Sequence, residues 1–132
     1  MNLSVYFKPV HEYYLRKIDR HYFYKFNNSN TIYIGNLSYY TCEEQIYEFF
    51  RNIGEIKRII IGLHRFTKTP CGFCFLEFYN FKDAKYAFKY AFGYRIDNRI
   101  LLIDPDTGFL NGRQFGKGSK GGQIREENTH MN

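Results

Sequence analysis

At 132 residues the chain has room for one domain with a real core plus extensions. Its net charge of +6 and pI of about 9.2 point to a polyanionic partner. No apolar run approaches membrane-spanning length, and residues 1–6 lack the apolar stretch of a signal peptide, so a soluble intracellular chain with no membrane partner is expected.

In chain order, residues 1–30 come first, with eight Tyr or Phe and five Lys or Arg against two acids. Aromatic content of 20% without any Trp exceeds what a core this size needs, which leaves rings for binding. Such an extension can supply a stacking wall over a neighbouring fold, or it can simply pack against the domain or a partner. Thr31–Gly35 reads as the first strand. Alternation sends Ile32 and Ile34 into a core and leaves Tyr33 on the opposite face.

Thr41 and Glu44 have capping-box spacing, and the helix they open gathers Ile46, Phe49, Phe50 and Ile53 on one side, with Gly54 as a left-handed terminator. A second strand is expected over Ile56–Leu63, then a basic loop over residues 64–70. The third strand, Cys71–Phe78, turns Cys74, Leu76 and Phe78 inward and leaves Phe73 and Phe75 on the face of Tyr33. Asn80 caps a second helix with Ala84, Ala87, Phe88 and Ala91 on its core side, ending before Gly93. Ile100–Ile103 is the expected fourth strand.

Residues 31–104 therefore predict an α+β domain in the order β-α-β-β-α-β, a four-stranded antiparallel sheet with two helices on one face. The other face is expected to be open. Three flat rings there are unfavourable in a monomer unless something stacks on them, and a nucleic-acid base fits. Residues 105–132 form a Gly-rich tail. Its 107–123 stretch holds six of the eleven glycines together with Arg113, Lys117 and Lys120, the composition of a mobile segment or of one that orders over a ligand.

Cys42, Cys71 and Cys74 make an odd set, which argues against a disulfide framework. Cys71-x-x-Cys74 has no second pair and no nearby His pair, and on a strand its two residues face opposite sides. His11, His21, His64 and His130 share no ligand spacing. With no nucleophile elbow, phosphate-binding loop or paired-carboxylate motif, a binding protein is expected rather than an enzyme, with no cofactor and no metal.

Ile32-Tyr33-Ile34-Gly35-Asn36-Leu37 and Cys71-Gly72-Phe73-Cys74-Phe75-Leu76-Glu77-Phe78 resemble the two short motifs of the RNA recognition motif (RRM), in which aromatics on the central strands stack bases. Asp104-Pro105-Asp106-Thr107-Gly108-Phe109, Gly112-Arg113-Gln114-Phe115-Gly116-Lys117-Gly118 and Gly121-Gly122-Gln123-Ile124-Arg125 resemble the C-terminal signature of the small subunit of the nuclear cap-binding complex. The resemblance runs over residues 31–125 and implies recognition of the 7-methylguanosine cap of RNA polymerase II transcripts. It further implies a large helical-repeat partner subunit, a nuclear location with shuttling to the cytoplasm, and service in splicing and RNA export.

The resemblance also assigns residues. Tyr33 matches the stacking tyrosine of the sheet, and Tyr13, with Tyr14 as the alternative, matches the opposing ring. Asp104 and Asp106 match the acids at the guanine edge. Arg113 and Lys117 match phosphate positions. Gln123 and the Ile124 backbone match positions near base and phosphates, Gln114 belongs to the same cap-binding set, and Phe73 and Phe75 match rings lining the pocket or the first nucleotides. Cys71 stands where the RRM octamer opens with Lys or Arg. Pro105 stands for a larger residue, Leu102 for Arg, and Lys117 for Arg, which loses the forked phosphate geometry. An ordinary RRM for uncapped single-stranded RNA is the alternative; it accounts for residues 31–104 but not for the acids and the Arg-Gln tail.

Overall fold

Apolar residues at every second position build the strands that the sequence predicts. β1 (Thr31–Gly35) is followed by α1 (Glu43–Phe50), β2 (Ile56–Leu63) and β3 (Pro70–Phe78), and α2 (Phe81–Ala91) follows β3. A short hairpin, β4 (Arg95–Ile96) and β5 (Arg99–Ile100), precedes β6 (Leu102–Asp106). The computed structural model describes residues 29–123. The main sheet is antiparallel in the order β2-β3-β1-β6.

Both helices pack on one face. Ile32, Ile34, Cys74, Leu76 and Ile103 from the strands meet Ile46, Phe50, Ala84, Ala87, Phe88 and Ala91 from the helices in one core. The small alanines of α2 bring that helix close to the sheet, as their spacing predicts. Asn80 caps it by accepting from the Lys82 amide at 2.9 Å. Gly93 follows with a left-handed φ of 87°.

Several local expectations are corrected. The α1 cap is Cys42, not Thr41: Gln45 Oε1 reaches back to accept from the Cys42 amide at 2.9 Å, and the Thr41 hydroxyl instead donates to Asp97 Oδ2 at 2.7 Å. A partner 56 residues away outcompetes the local box. Gly54 is absent from the positive-φ residues; a Cβ there would lie 2.2 Å from Asp83 Oδ2, so close approach explains the glycine. The last sheet strand is Leu102–Asp106 rather than Ile100–Ile103, which puts Asp104 and Asp106 inside it. Proline tolerates this position because β6 is an edge strand and Pro105 need not donate outward.

The 107–123 segment is not a free tail here. Leu63 at the end of β2 donates to the Gln114 carbonyl at 2.6 Å and accepts from Gly116 at 2.9 Å. Arg65 donates to the Gly121 carbonyl at 2.8 Å. His64 Nδ1 accepts from the Phe66 and Thr67 amides at 3.2 and 3.3 Å, which leaves its Nε2–H to donate to the Lys120 carbonyl at 2.8 Å. Glycine serves both conformation and contact here: Gly121 has φ 96°, and a Cβ on it would come within 2.2 Å of His64 Cε1.

Cys71 and Cys74 do face opposite sides, Cys71 with the aromatic cluster and Cys74 in the helix-side core. Burial pushes the Cys74 thiol far up, which removes the nucleophilic thiolate at neutral pH. Cys42 alone among the three is exposed. Iodoacetamide at neutral pH is therefore expected to modify Cys42 and spare Cys71 and Cys74. Peptide mass spectrometry checks this, and modified Cys74 in folded protein would contradict the placement.

Candidate nucleic-acid interface

The face of the sheet away from the helices is organised in rows, because residues opposite one another in register share a face. One row runs Ile60, Phe75, Tyr33, Asp104 across β2, β3, β1 and β6. The next runs Arg58, Glu77, Thr31, Asp106. Phe73 extends the ring set along β3. Tyr33 stacks on Phe73 with centroids 5.7 Å apart and meets Phe75 edge-on at 5.8 Å. Phe73 occupies space over Gly62, where a Cβ would lie 2.4 Å from the ring, so β2 needs glycine at that point.

The expected open face is covered. Tyr33, Phe73 and Phe75 are only 2%, 0% and 1% exposed. Phe109 lies 5.5 Å from Phe75, and the Arg58 guanidinium sits 5.2 Å over Phe109. Arg113 lies 4.7 Å over the Phe75 ring. Three apolar rings in water are unfavourable, and Phe109 and Arg113 supply part of their cover.

Arg113 also forks Asp106. Its Nη1 donates to Oδ2 at 2.7 Å and its Nη2 to Oδ1 at 2.8 Å, while the Gly108 amide donates to Oδ2 at 3.0 Å. The hydrogen bonds and charge of Asp106 hold the guanidinium above its ordinary pKa, against partial burial. A bidentate pair on the sheet surface thus ties the tail to the acid beside it.

Of the residues expected at the site, Tyr33, Phe73, Phe75, Asp104, Asp106 and Arg113 come together on one face. Gln114 takes a different part: its carbonyl holds Leu63 and its Oε1 accepts from Gly112 at 2.7 Å. Lys117 is exposed on the tail, and Gln123 lines a cavity beside His64. Tyr13, Tyr14 and Ile124 lie outside the described residues. Sequence reasoning overlooked Thr31, Arg58, Glu77 and Phe109. Thr31 and Glu77 sit two residues from Tyr33 and Phe75, so the strand parity that found the rings could have found them. Thr31 Oγ1 and Glu77 Oε1 are buried without a hydrogen-bond partner, although Lys57 Nζ and Arg58 Nε stand at ion-pair distances of 3.5 and 3.4 Å from the carboxylate.

A sheet face bearing rings, flanking acids and a guanidinium can stack a base and bond its edge. Comparison with known proteins agrees. Residues 32–102 match the family model of the RNA recognition motif. The chain is similar to "Nuclear cap-binding protein subunit 2" of Ixodes scapularis, 56% identical over 99 residues, an alignment covering 75% of this chain and 65% of that relative. The protein of the same name from Caenorhabditis elegans is 52% identical over 99 residues, covering 75% of this chain and 63% of the relative. The chain thus spans less than two thirds of the length of these relatives. Among solved structures, "RNA Binding Protein PG1" superposes with a TM-score of 0.58 at 27% identity, covering 62% of this chain and 99% of that one.

Proposed function

We propose, for a chain that belongs to the RNA recognition motif family, that its ligand is the 7-methylguanosine cap of RNA polymerase II transcripts. The observation that carries this reading is the register pair Tyr33–Asp104: a ring on β1 with a carboxylate directly beside it on β6. Methylation at the seven position gives the guanine a delocalised positive charge. Such a base gains cation–π attraction over an electron-rich ring in addition to stacking. Its Watson–Crick edge offers N–H donors, which carboxylates accept.

In this reading Tyr33 is one wall and Tyr13 or Tyr14 the other. Asp104 and Asp106 take the base edge, and Arg113 and Lys117 serve the triphosphate bridge, with Gln114, Gln123 and Ile124 near base and phosphates. The Asp106 carboxylate already accepts from both Arg113 nitrogens and the Gly108 amide, which leaves one acceptor site, on Oδ1, for a base edge. The protein acts as a binding module, not an enzyme. The reading extends to a large helical-repeat partner seated on the helix side, where Tyr47 and Tyr86 are 45% and 44% exposed. A nuclear location and service in splicing and export belong to the same proposal.

Calorimetric titration of the full chain, assembled with its large subunit, separates this from ordinary RNA binding. 7-Methyl-GTP is expected to bind better than GTP by about 2 kcal/mol, roughly thirtyfold, the magnitude of a desolvated cation–π contact. Equal affinities would overturn the reading, and equally good binding of uncapped single-stranded RNA would favour a generic RRM.

A further inference from the structure

Asn111-Gly112 is the one Asn-Gly step in the chain, and it lies in a turn between two grips of the tail on the ring face. Upstream, Phe109 sits 5.5 Å from Phe75; downstream, Arg113 forks Asp106. Asn111 and Gly112 are both exposed. Gly112 has φ 104°, and a Cβ on it would meet nothing within 4 Å, so the step has open space and water around it. Asn80 and Asn98, also exposed, are followed instead by Phe81 and Arg99.

An Asn-Gly step carries its own nucleophile and electrophile. The glycine nitrogen gives up its proton to hydroxide and attacks the asparagine Cγ. The N–Cγ bond forms, the Cγ–Nδ2 bond breaks, and Nδ2 leaves as ammonia with a proton from water. The resulting succinimide is opened by water at either carbonyl, giving aspartate or isoaspartate. A side chain on the following residue crowds this ring closure, and glycine has none. In this turn one side chain holds both reacting groups. Gln114 Oε1 accepts from the Gly112 amide at 2.7 Å, and Gln114 Nε2 donates to Asn111 Oδ1 at 3.4 Å. The Gly112 nitrogen must lose the proton that the shorter bond holds, and the Gln114 oxygen opposes the anion left behind. Gln114 is itself anchored, because Leu63 donates to its carbonyl at 2.6 Å.

We propose that Asn111 is a self-modifying site, a deamidation that Gln114 restrains and that loosens the cover of the ring face. Conversion places a new carboxylate two residues from Arg113, as a rival to Asp106 for the guanidinium. The isoaspartate product also lengthens the main chain by a methylene between Phe109 and Arg113, so the two grips no longer keep their spacing. The inference invokes no ligand and stands apart from the cap reading.

The test incubates the full chain at neutral and at mildly alkaline pH. Peptide mass spectrometry follows each asparagine, and a protein isoaspartate methyltransferase marks the isoaspartate. Asn111 is expected to convert, faster at the higher pH, while Asn80 and Asn98 stay intact. Gln114→Met is expected to speed the conversion about fivefold, the weight of one hydrogen bond, while its backbone keeps the hold on Leu63. Trypsin is expected to cut the converted chain after Lys117 faster than the fresh chain, and Asn111→Gln, which closes a ring far more slowly, is expected to keep the fresh rate throughout. Conversion of Asn111 no faster than that of Asn98 in the unsubstituted chain would overturn the site whether or not the Gln114 variant folds. Conversion in folded Gln114→Met no faster than in the unsubstituted chain would overturn the restraint. Equal tryptic rates for converted and fresh chain would overturn the effect on the cover.

Discussion

Replacing Tyr33 with leucine is expected to weaken 7-methyl-GTP binding by about two to four orders of magnitude and to change weak GTP binding far less. Stacking on one ring contributes roughly 1–3 kcal/mol and a desolvated cation–π contact about 2 kcal/mol more, together about 3–5 kcal/mol. Leucine is chosen because Tyr33 is buried between Ile60-side rings and β6, and an alanine would leave a void in the sheet face. The lost Tyr33–Phe73 stack adds about 0.5–1.5 kcal/mol to the stability cost of the smaller side chain, and a thermal melt measures that cost independently of ligand. Calorimetry with both nucleotides then isolates the charge term. A parallel drop for GTP would mean that Tyr33 holds the base without sensing its methylation. Unchanged 7-methyl-GTP affinity in a folded variant would move the stack to another ring.

The core was legible because its signals are local and periodic. Ile32 and Ile34, then Cys74, Leu76 and Phe78, alternate without interruption, and Ala84, Ala87, Phe88 and Ala91 keep helical spacing; nothing distant competes with either pattern. The ring set Tyr33, Phe73 and Phe75 followed from the same parity read on the other face. What failed were inferences where a residue has two uses. Thr41 can cap a helix, but Asp97 takes its hydroxyl. The fourth strand was expected to stop at Ile103, yet edge strand β6 continues through Pro105, which stays in register opposite Ile32. Glycines in the tail read as mobility, while Gly121 is small so that the chain can lie against His64. The pairing of Asp106 with Arg113 had no signature in the sequence, because a fork across seven residues depends on how the tail folds back over Phe75.

That fork makes the second large expectation. Asp106→Asn should release the 107–123 segment in the absence of any ligand, seen as faster tryptic cleavage after Arg113 and Lys117. Asparagine keeps the shape and one acceptor, but turns an amide N–H₂ toward a guanidinium and removes the charge. Breaking a buried ion pair by neutralising one partner costs about 3–5 kcal/mol. The Asp106 side chain is 6% exposed and that of Arg113 31%, so the lower end, about 3 kcal/mol, is expected. Where opening is fast relative to cleavage, the rate follows the open population, and about 3 kcal/mol corresponds to roughly a hundredfold acceleration. The backbone bonds from Leu63 to Gln114 and Gly116 do not depend on Asp106, so they bound the gain from below the fully unlatched rate. Arg113→Lys gives a second reading free of the carboxylate change: it keeps the charge, loses the fork and should accelerate cleavage at Lys117 by a smaller factor. If Asp106→Asn is cleaved at the rate of the unsubstituted chain, the fork is a surface decoration and does not hold the segment over the rings. If cleavage rises as expected, the acid beside the base site is also the latch of its cover.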